Sequence, residues 1–182
     1  MAERALSQLS VDMFERIAEF AAREDETVSF EFIDGRIGVR KVTNGSHGEI
    51  AMWLVFKCKQ ARPDLTLYTT NQGLKVEAYR GGRARPDALL APVGHFNGQG
   101  DWAEPDGVLM AVEITSYDSD AEAGIPVYLL IDRDNLSVLV HTAPDLEDGY
   151  REIHTVRLGG KVTLPAPVGI ELDTEELKQY VD

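Results

Sequence analysis

The sequence contains a single cysteine, Cys58, and no long apolar run. One cysteine excludes an internal disulfide framework and any zinc site built from several cysteines. No apolar stretch approaches the roughly 18 residues of a membrane-spanning helix, and the N-terminus lacks the charged-then-apolar pattern of a secretory signal. We therefore expect a cytoplasmic protein with no membrane partner.

Positive charge is also scarce, with 18 lysines and arginines against 31 aspartates and glutamates, a formal net charge of −13. Such a chain has no overall electrostatic attraction for nucleic acid. Two interpretations stay open: the acidity maintains solubility, or nucleic acid binds through a local basic strip or a metal. The length of 182 residues and the apolar fraction of 43% predict one globular domain over residues 1–182.

Hydrophobic periodicity predicts both helices and strands. Ser10 is a typical N-cap, and the apolar spacing after it predicts a lead-in helix over 10–24. Ser46 and Glu49 form a capping box that predicts the start of a second helix, whose many apolar residues indicate burial on more than one side. Asp173 predicts the start of a closing helix that reaches Tyr180.

Alternating and continuous apolar segments predict a sheet around these helices. A hairpin turn is expected at residues 34–35, and the polar segment 92–106 is expected to be a loop outside the core. Strands are predicted over 28–32, 36–42, 65–69, 74–78, 87–91, 108–114, 127–131, 136–141, 151–156 and 168–172.

The connection between the two most apolar strands, 108–114 and 127–131, is unusually short for a parallel crossover. Residues 121–124 resemble the last turn of a helix, with Gly124 as the residue that follows it. Either the two strands connect irregularly, or a segment is missing between Asp120 and Ala121.

Two carboxylates are the strongest candidates for chemistry. Glu113 interrupts an apolar strand, where a charge is costly unless it is paired or bound to a metal. Asp87 follows Pro86 at the start of another strand. Carboxylates on neighbouring strand ends suit a hard cation such as Mg²⁺, which could activate water and bind a phosphate. The alternative is that Glu113 forms an ion pair and Asp87 caps a turn.

Other polar residues lie close to these acids in the sequence or in the predicted sheet. Arg80, Arg83 and Arg85 form the densest basic stretch, which could bind phosphate oxygens or lie in a solvated loop. Glu31 alternates with phenylalanines, so it points either to solvent or into a cleft. His47, in the first turn of the second helix, is either a base or phosphate contact or a structural histidine.

Taken together, these segments resemble the Uma2 family within the PD-(D/E)XK nuclease superfamily. The resemblance extends from about residue 30 to the C-terminus, and each segment is short, so their order and spacing carry it. The matching parts are His47 at a helix start and the segments 30–37, 85–87, 112–116 and 123–132.

The resemblance implies an α/β (α+β) fold with a restriction-endonuclease-like core, a mixed central sheet flanked by helices. It implies Mg²⁺- or Mn²⁺-dependent hydrolysis of DNA, with Asp87, Glu113 and the Ile114 carbonyl as metal ligands. Glu31 and His47 would be further catalytic-site residues. From the sequence, Arg83 and Arg85 are the candidate phosphate contacts, and a homodimer is plausible by analogy.

The sequence departs from the superfamily pattern at its lysine. The lysine expected two residues after the second acid is Thr115, and the helix that carries a lysine in similar proteins falls where the connection is short. Three hypotheses follow: a metal-dependent nuclease, a catalytically impaired nuclease-fold module that binds nucleic acid or a protein, and a structural or dimerisation domain with Glu113 in a buried ion pair.

Overall fold

The computed structural model describes residues 9–25, 28–33, 35–39, 44–76, 82–115, 124–145 and 149–181. The two α-helices are α1 (Val11–Glu24) and α2 (Gly45–Ala61), and the chain closes with a 3-10 helix, Glu175–Tyr180. The strands are β1 (Phe30–Ile33), β2 (Arg36–Val39), β3 (Leu65–Tyr68), β4 (Gly73–Val76), β5 (Gly82–Ala84), β6 (Ala88–Pro92), β7 (Trp102–Ala103), β8 (Met110–Thr115), β9 (Val127–Asp132), β10 (Ser137–Asp145), β11 (Gly149–Arg157), β12 (Lys161–Leu164) and β13 (Ile170–Asp173).

The strands form two larger mixed sheets and one hairpin. Their orders are β2-β1-β5-β4-β7, β11-β10-β9-β8-β6-β3 and β12-β13. Neighbouring strands are antiparallel except β8 with β9 and β4 with β7, which are parallel. This is the mixed α/β fold that the sequence predicted, with helices packed on sheets.

Two apolar clusters hold these layers together. One joins α2 to a face of the six-stranded sheet, where Trp53, Leu54 and Cys58 are buried against residues such as Val112 and Ile114. The second lies on the opposite face of the same sheet and includes Leu74 and Ala103 from the five-stranded sheet. The six-stranded sheet is therefore covered on both sides over its central strands, which explains its continuous apolar segments.

Several predicted elements are confirmed. The Ser10 side chain accepts a hydrogen bond from the Met13 amide at the start of α1. β1 and β2 pair antiparallel around the predicted turn, with Gly35 at φ 76°, a value that glycine adopts readily. The parallel pairing of the two apolar strands β8 and β9 is also present. Other predictions concern residues outside the described ones, namely 40–42, 77–78 and 120–123.

The predicted start of α2 was wrong. Asn44, not Ser46, is the N-cap, and its Oδ1 accepts a hydrogen bond from the His47 amide at 3.0 Å. Asparagine caps helices as well as serine does, so the helix begins two residues earlier than the capping box indicated. The expected burial of α2 on several sides was also wrong, because Met52 and Phe56 are 61% and 64% exposed.

Several polar stretches contain short strands that the sequence analysis did not predict. The segment 92–106 was expected to lie outside the core, yet β7 pairs with β4 and Ala103 is buried. β5 and β12 were not predicted, because three or four residues with mixed polarity give little periodic signal. The closing helix forms where expected but is of the 3-10 type and begins after Thr174, whereas Asp173 ends β13.

Within the described part of the chain, no helix combines the length and the apolar character needed to cross a bilayer.

Candidate functional site

Asp87 lies in the turn between β5 and β6, and two elements contact its carboxylate. The Ile114 amide of β8 donates a hydrogen bond to Asp87 Oδ2 at 2.8 Å. His47 Nε2, from the first turn of α2, lies 3.0 Å from the same oxygen. The Asp87 side chain is only 6% exposed. The carboxylate is therefore fixed between the central sheet and the N-terminal end of α2.

The contact between His47 and Asp87 is short but not directed. His47 Nε2 is buried and has no hydrogen bond of good geometry among the described residues, although the carboxylate oxygen is within 3.0 Å. A distance within hydrogen-bond range without alignment gives at most a weak hydrogen bond. The His47 side chain is only 13% exposed, so the imidazole faces the site and not solvent.

Glu113 lies beside Asp87 in the sheet register. β6 and β8 are antiparallel, and their pairing ends with Ala88 opposite Val112. Asp87 and Glu113 are the next residues on the two sides, and the hydrogen bond from the Ile114 amide keeps the Asp87 carboxylate beside β8. Glu113 is 7% exposed on the sheet face opposite α2. The fold thus brings together the two carboxylates that the sequence singled out.

Glu31 and Arg85 meet next to this pair. The Arg85 amide donates a hydrogen bond to Glu31 Oε1 at 2.7 Å, which ties β1 to the segment that leads into Asp87. Glu31 is half-buried, so of the two orientations considered, the inward one describes it better. The Arg85 guanidinium stacks on Trp102, 4.1 Å from the ring centroid, and donates to the Asn71 carbonyl.

Arg83 is turned towards α1. Its Nε donates to Glu15 at 2.6 Å, and its side chain is 12% exposed. Of the two readings of the basic stretch, a solvated loop does not describe Arg83, because it lies in β5 and is half-buried. A phosphate contact from Arg83 would require the pair with Glu15 to open.

Sequence reasoning missed two polar residues near these acids. Asn44 caps α2, and Arg133 Nη1 donates to Asn44 Oδ1 at 3.2 Å. Arg133 follows β9, whose last residue, Asp132, pairs with Thr115 at the end of β8. The predicted parallel strands could have pointed to Arg133, because the ends of neighbouring parallel strands lie at the same edge of a sheet.

The donor set at this edge consists of oxygens. The Asp87 and Glu113 carboxylates and the Ile114 carbonyl are ligand types that Mg²⁺ and Mn²⁺ accept, and Mg²⁺ is commonly held by one or two carboxylates with waters and phosphates. Among the described residues no group of three or more histidine, cysteine, aspartate or glutamate side chains is arranged to hold a metal. A cation held by these two carboxylates and the carbonyl would therefore take its remaining ligands from water and substrate.

Comparison with known proteins decides the family. The family model for Uma2, described as "Putative restriction endonuclease", matches residues 11–175. The chain belongs to the Uma2 family. This confirms the resemblance inferred from the sequence, and membership of this family supports a nuclease. A search of curated proteins found no match.

A solved structure shares the Uma2-like fold. It is the crystal structure of a putative nuclease belonging to DUF820 from Anabaena variabilis ATCC 29413. The TM-score is 0.69 at 15% sequence identity, and the match covers 94% of this chain and 98% of that one. At this identity the likeness shows the fold, which agrees with the predicted nuclease-like architecture.

Proposed function

We propose that this Uma2 protein is an endonuclease that hydrolyses DNA phosphodiester bonds with Mg²⁺ or Mn²⁺, held by Asp87, Glu113 and the Ile114 carbonyl. The observation that carries the proposal is the hydrogen bond from the Ile114 amide to Asp87 Oδ2, which keeps the Asp87 carboxylate beside the end of β8 that carries Glu113. A buried pair of carboxylates is unfavourable by itself, since like charges repel, and a divalent cation removes that cost.

The protein groups have separable tasks in this proposal. A bound divalent cation would supply Lewis-acid stabilisation of the phosphate and lower the pKa of an attacking water. The Ile114 amide orients the Asp87 carboxylate through its hydrogen bond. His47 faces the same oxygen and is positioned to exchange a proton with a water or a phosphate oxygen at the site. Glu31 fixes the backbone of Arg85, two residues before Asp87.

Cleavage of supercoiled plasmid with Mg²⁺ or Mn²⁺ tests the proposal. Asp87→Asn and Glu113→Gln should each lower the nicking rate about 100-fold or more, because each removes a charge that holds the cation. Glu152→Gln, which removes an exposed carboxylate on β11, is the matched control and should cleave like the parent protein. Nicking that survives both site substitutions in a pure preparation would contradict the proposal.

The second candidate is a catalytically impaired module that binds nucleic acid or a protein. It is favoured by the sequence position two residues after Glu113, where Thr115 replaces the superfamily lysine. This function predicts DNA binding that needs no divalent cation, and no cleavage under any metal. The plasmid assay and a binding assay in EDTA separate the two functions.

A homodimer remains a prediction by analogy. Light scattering of the purified chain would give its mass in solution directly.

A further inference from the structure

Arg133 is a cationic side chain at the same sheet edge as the two carboxylates. Because β8 and β9 are parallel and Thr115 pairs with Asp132, Arg133 lies just beyond the ends of these strands, three residues after Leu130, the partner of Glu113. The half-buried Arg133 reaches from there to the N-terminus of α2, where Nη1 donates to Asn44 Oδ1.

The charge of Arg133 is not neutralised by the described residues. None of their ion pairs includes it, and its one hydrogen-bond acceptor, the Asn44 amide oxygen, is neutral. Its Nε is buried and has no hydrogen-bond partner among them. A buried donor without an acceptor is unfavourable, and such donors in native structures call for an explanation.

An anionic oxygen is a suitable acceptor for the side of the guanidinium that has none among the described residues. The Nε and Nη2 hydrogens of arginine form one edge that matches two oxygens of a phosphate, while Nη1 lies on the other side. Asn44 accepts from Nη1, whereas no described residue accepts from the buried Nε. Asn44 also accepts from the His47 amide, so one side chain links Arg133 to the histidine that faces Asp87.

We infer that Arg133 binds a phosphate group of the DNA backbone at the Asp87–Glu113 site. This inference rests on the proposed function, because it assumes that a phosphate lies there. In this role the positive guanidinium offsets the repulsion between the two carboxylates and the phosphate. A chain with a net charge of −13 would otherwise repel DNA.

The salt dependence of DNA binding tests the inference, with a labelled duplex and fluorescence anisotropy in a Glu113→Gln background that prevents cleavage. Arg133→Met should weaken binding about 10-fold and reduce the slope of log K against log salt by about 0.9, the loss of one phosphate contact. Arg133→Lys keeps the charge and should retain most of the slope. Arg151→Met, an equal charge change at an exposed position, should leave the slope unchanged.

Asn44→Ala separates a direct contact from an effect on α2. It removes the acceptor of Nη1 but keeps the positive charge, so its slope should stay near that of the parent. An equal loss of slope in Asn44→Ala and Arg133→Met would overturn the inference. An unchanged slope in Arg133→Met would also overturn the inference. This includes the case in which Arg133→Met lowers only the thermal stability, because the acceptor of Nε is then a group of the protein itself. A parent protein with no measurable DNA binding would overturn it as well.

Failure of the inference and failure of the proposed function give different results. If the parent protein cleaves DNA and Arg133→Met leaves the slope unchanged, the nuclease stands and the inference falls. If the parent never cleaves but Arg133→Met lowers the slope, the phosphate contact stands and the nuclease falls.

Discussion

At the scale of single residues, burial determines which side chains can react. His47 and Asp87 are mostly buried and contact each other at the end of the sheet. Cys58 lies on the buried face of α2, in the main apolar cluster. The first pair belongs to the candidate site, and the thiol does not.

We predict that Cys58 is inert in the folded protein. Burial raises the pKa of its thiol from the ordinary 9.0 to about 12, because the thiolate is poorly solvated there. Iodoacetamide at pH 8 should therefore modify the protein only after unfolding in denaturant, as followed by mass spectrometry. Rapid modification of the native protein would contradict this.

The same pKa shift predicts a pH dependence of stability. Between about pH 9 and pH 12 the unfolded thiol loses its proton while the folded one keeps it, so the free energy of unfolding should fall across this range. Cys58→Ala should remove that part of the decline, and comparison of urea unfolding of the two proteins measures it. An identical pH profile for both proteins would show that other groups cause the decline.

At the scale of elements, α1 is attached to the five-stranded sheet by few contacts. Phe14 is fully buried and stacks on Phe32 with ring centroids 5.0 Å apart, and Glu15 pairs with Arg83 of β5. Phe20, further along the same helix, is 66% exposed. The attachment of α1 therefore depends on its N-terminal half.

We expect Phe14→Ala to lower the free energy of unfolding by about 3–5 kcal/mol, because it removes a buried aromatic ring and leaves a cavity. Phe20→Ala is the matched control on the same helix, and as an exposed position it should change stability by no more than about 0.5 kcal/mol. Urea unfolding followed by circular dichroism measures both. Equal effects of the two substitutions would show that α1 does not pack on the sheet through Phe14.

At the scale of the whole molecule, negative charge opposes the proposed substrate. The formal net charge is −13, and the proposed site itself contributes two carboxylates, Asp87 and Glu113. Arg83 is paired with Glu15, so part of the basic stretch is already neutralised. Cation binding and the remaining arginines must therefore overcome the repulsion of DNA.

We predict that, in EDTA, Asp87→Asn with Glu113→Gln binds duplex DNA about 10-fold more tightly than the parent, because two repelling charges are removed. The control is Asp106→Asn with Glu152→Gln, an equal charge change at exposed positions, which should have a much smaller effect. Anisotropy of a labelled duplex at fixed salt measures all three. Equal affinities of the two double variants would mean that DNA does not approach the carboxylate pair.

Much of the fold follows from local signals in the sequence. Ser10 caps α1, the turn at Gly35 joins β1 to β2, and the apolar runs became the buried strands β8 and β9. These features depend on residues close together in the sequence. A capping side chain, a turn glycine or an apolar segment is enough to indicate them. Asp87 and Glu113 were identifiable for the same reason, because an acid in or beside an apolar strand is conspicuous.

Only the tertiary structure decided which side chains meet. The His47 contact with Asp87, the Arg83 pair with Glu15 and the approach of Arg133 to Asn44 join elements far apart in the sequence. The exposure of Phe56 could not be predicted either, because the identity of an apolar residue does not indicate whether another element packs on it. Local composition determined the elements and the two acids, whereas strand order and helix placement determined their surroundings, because these arise from packing between distant segments.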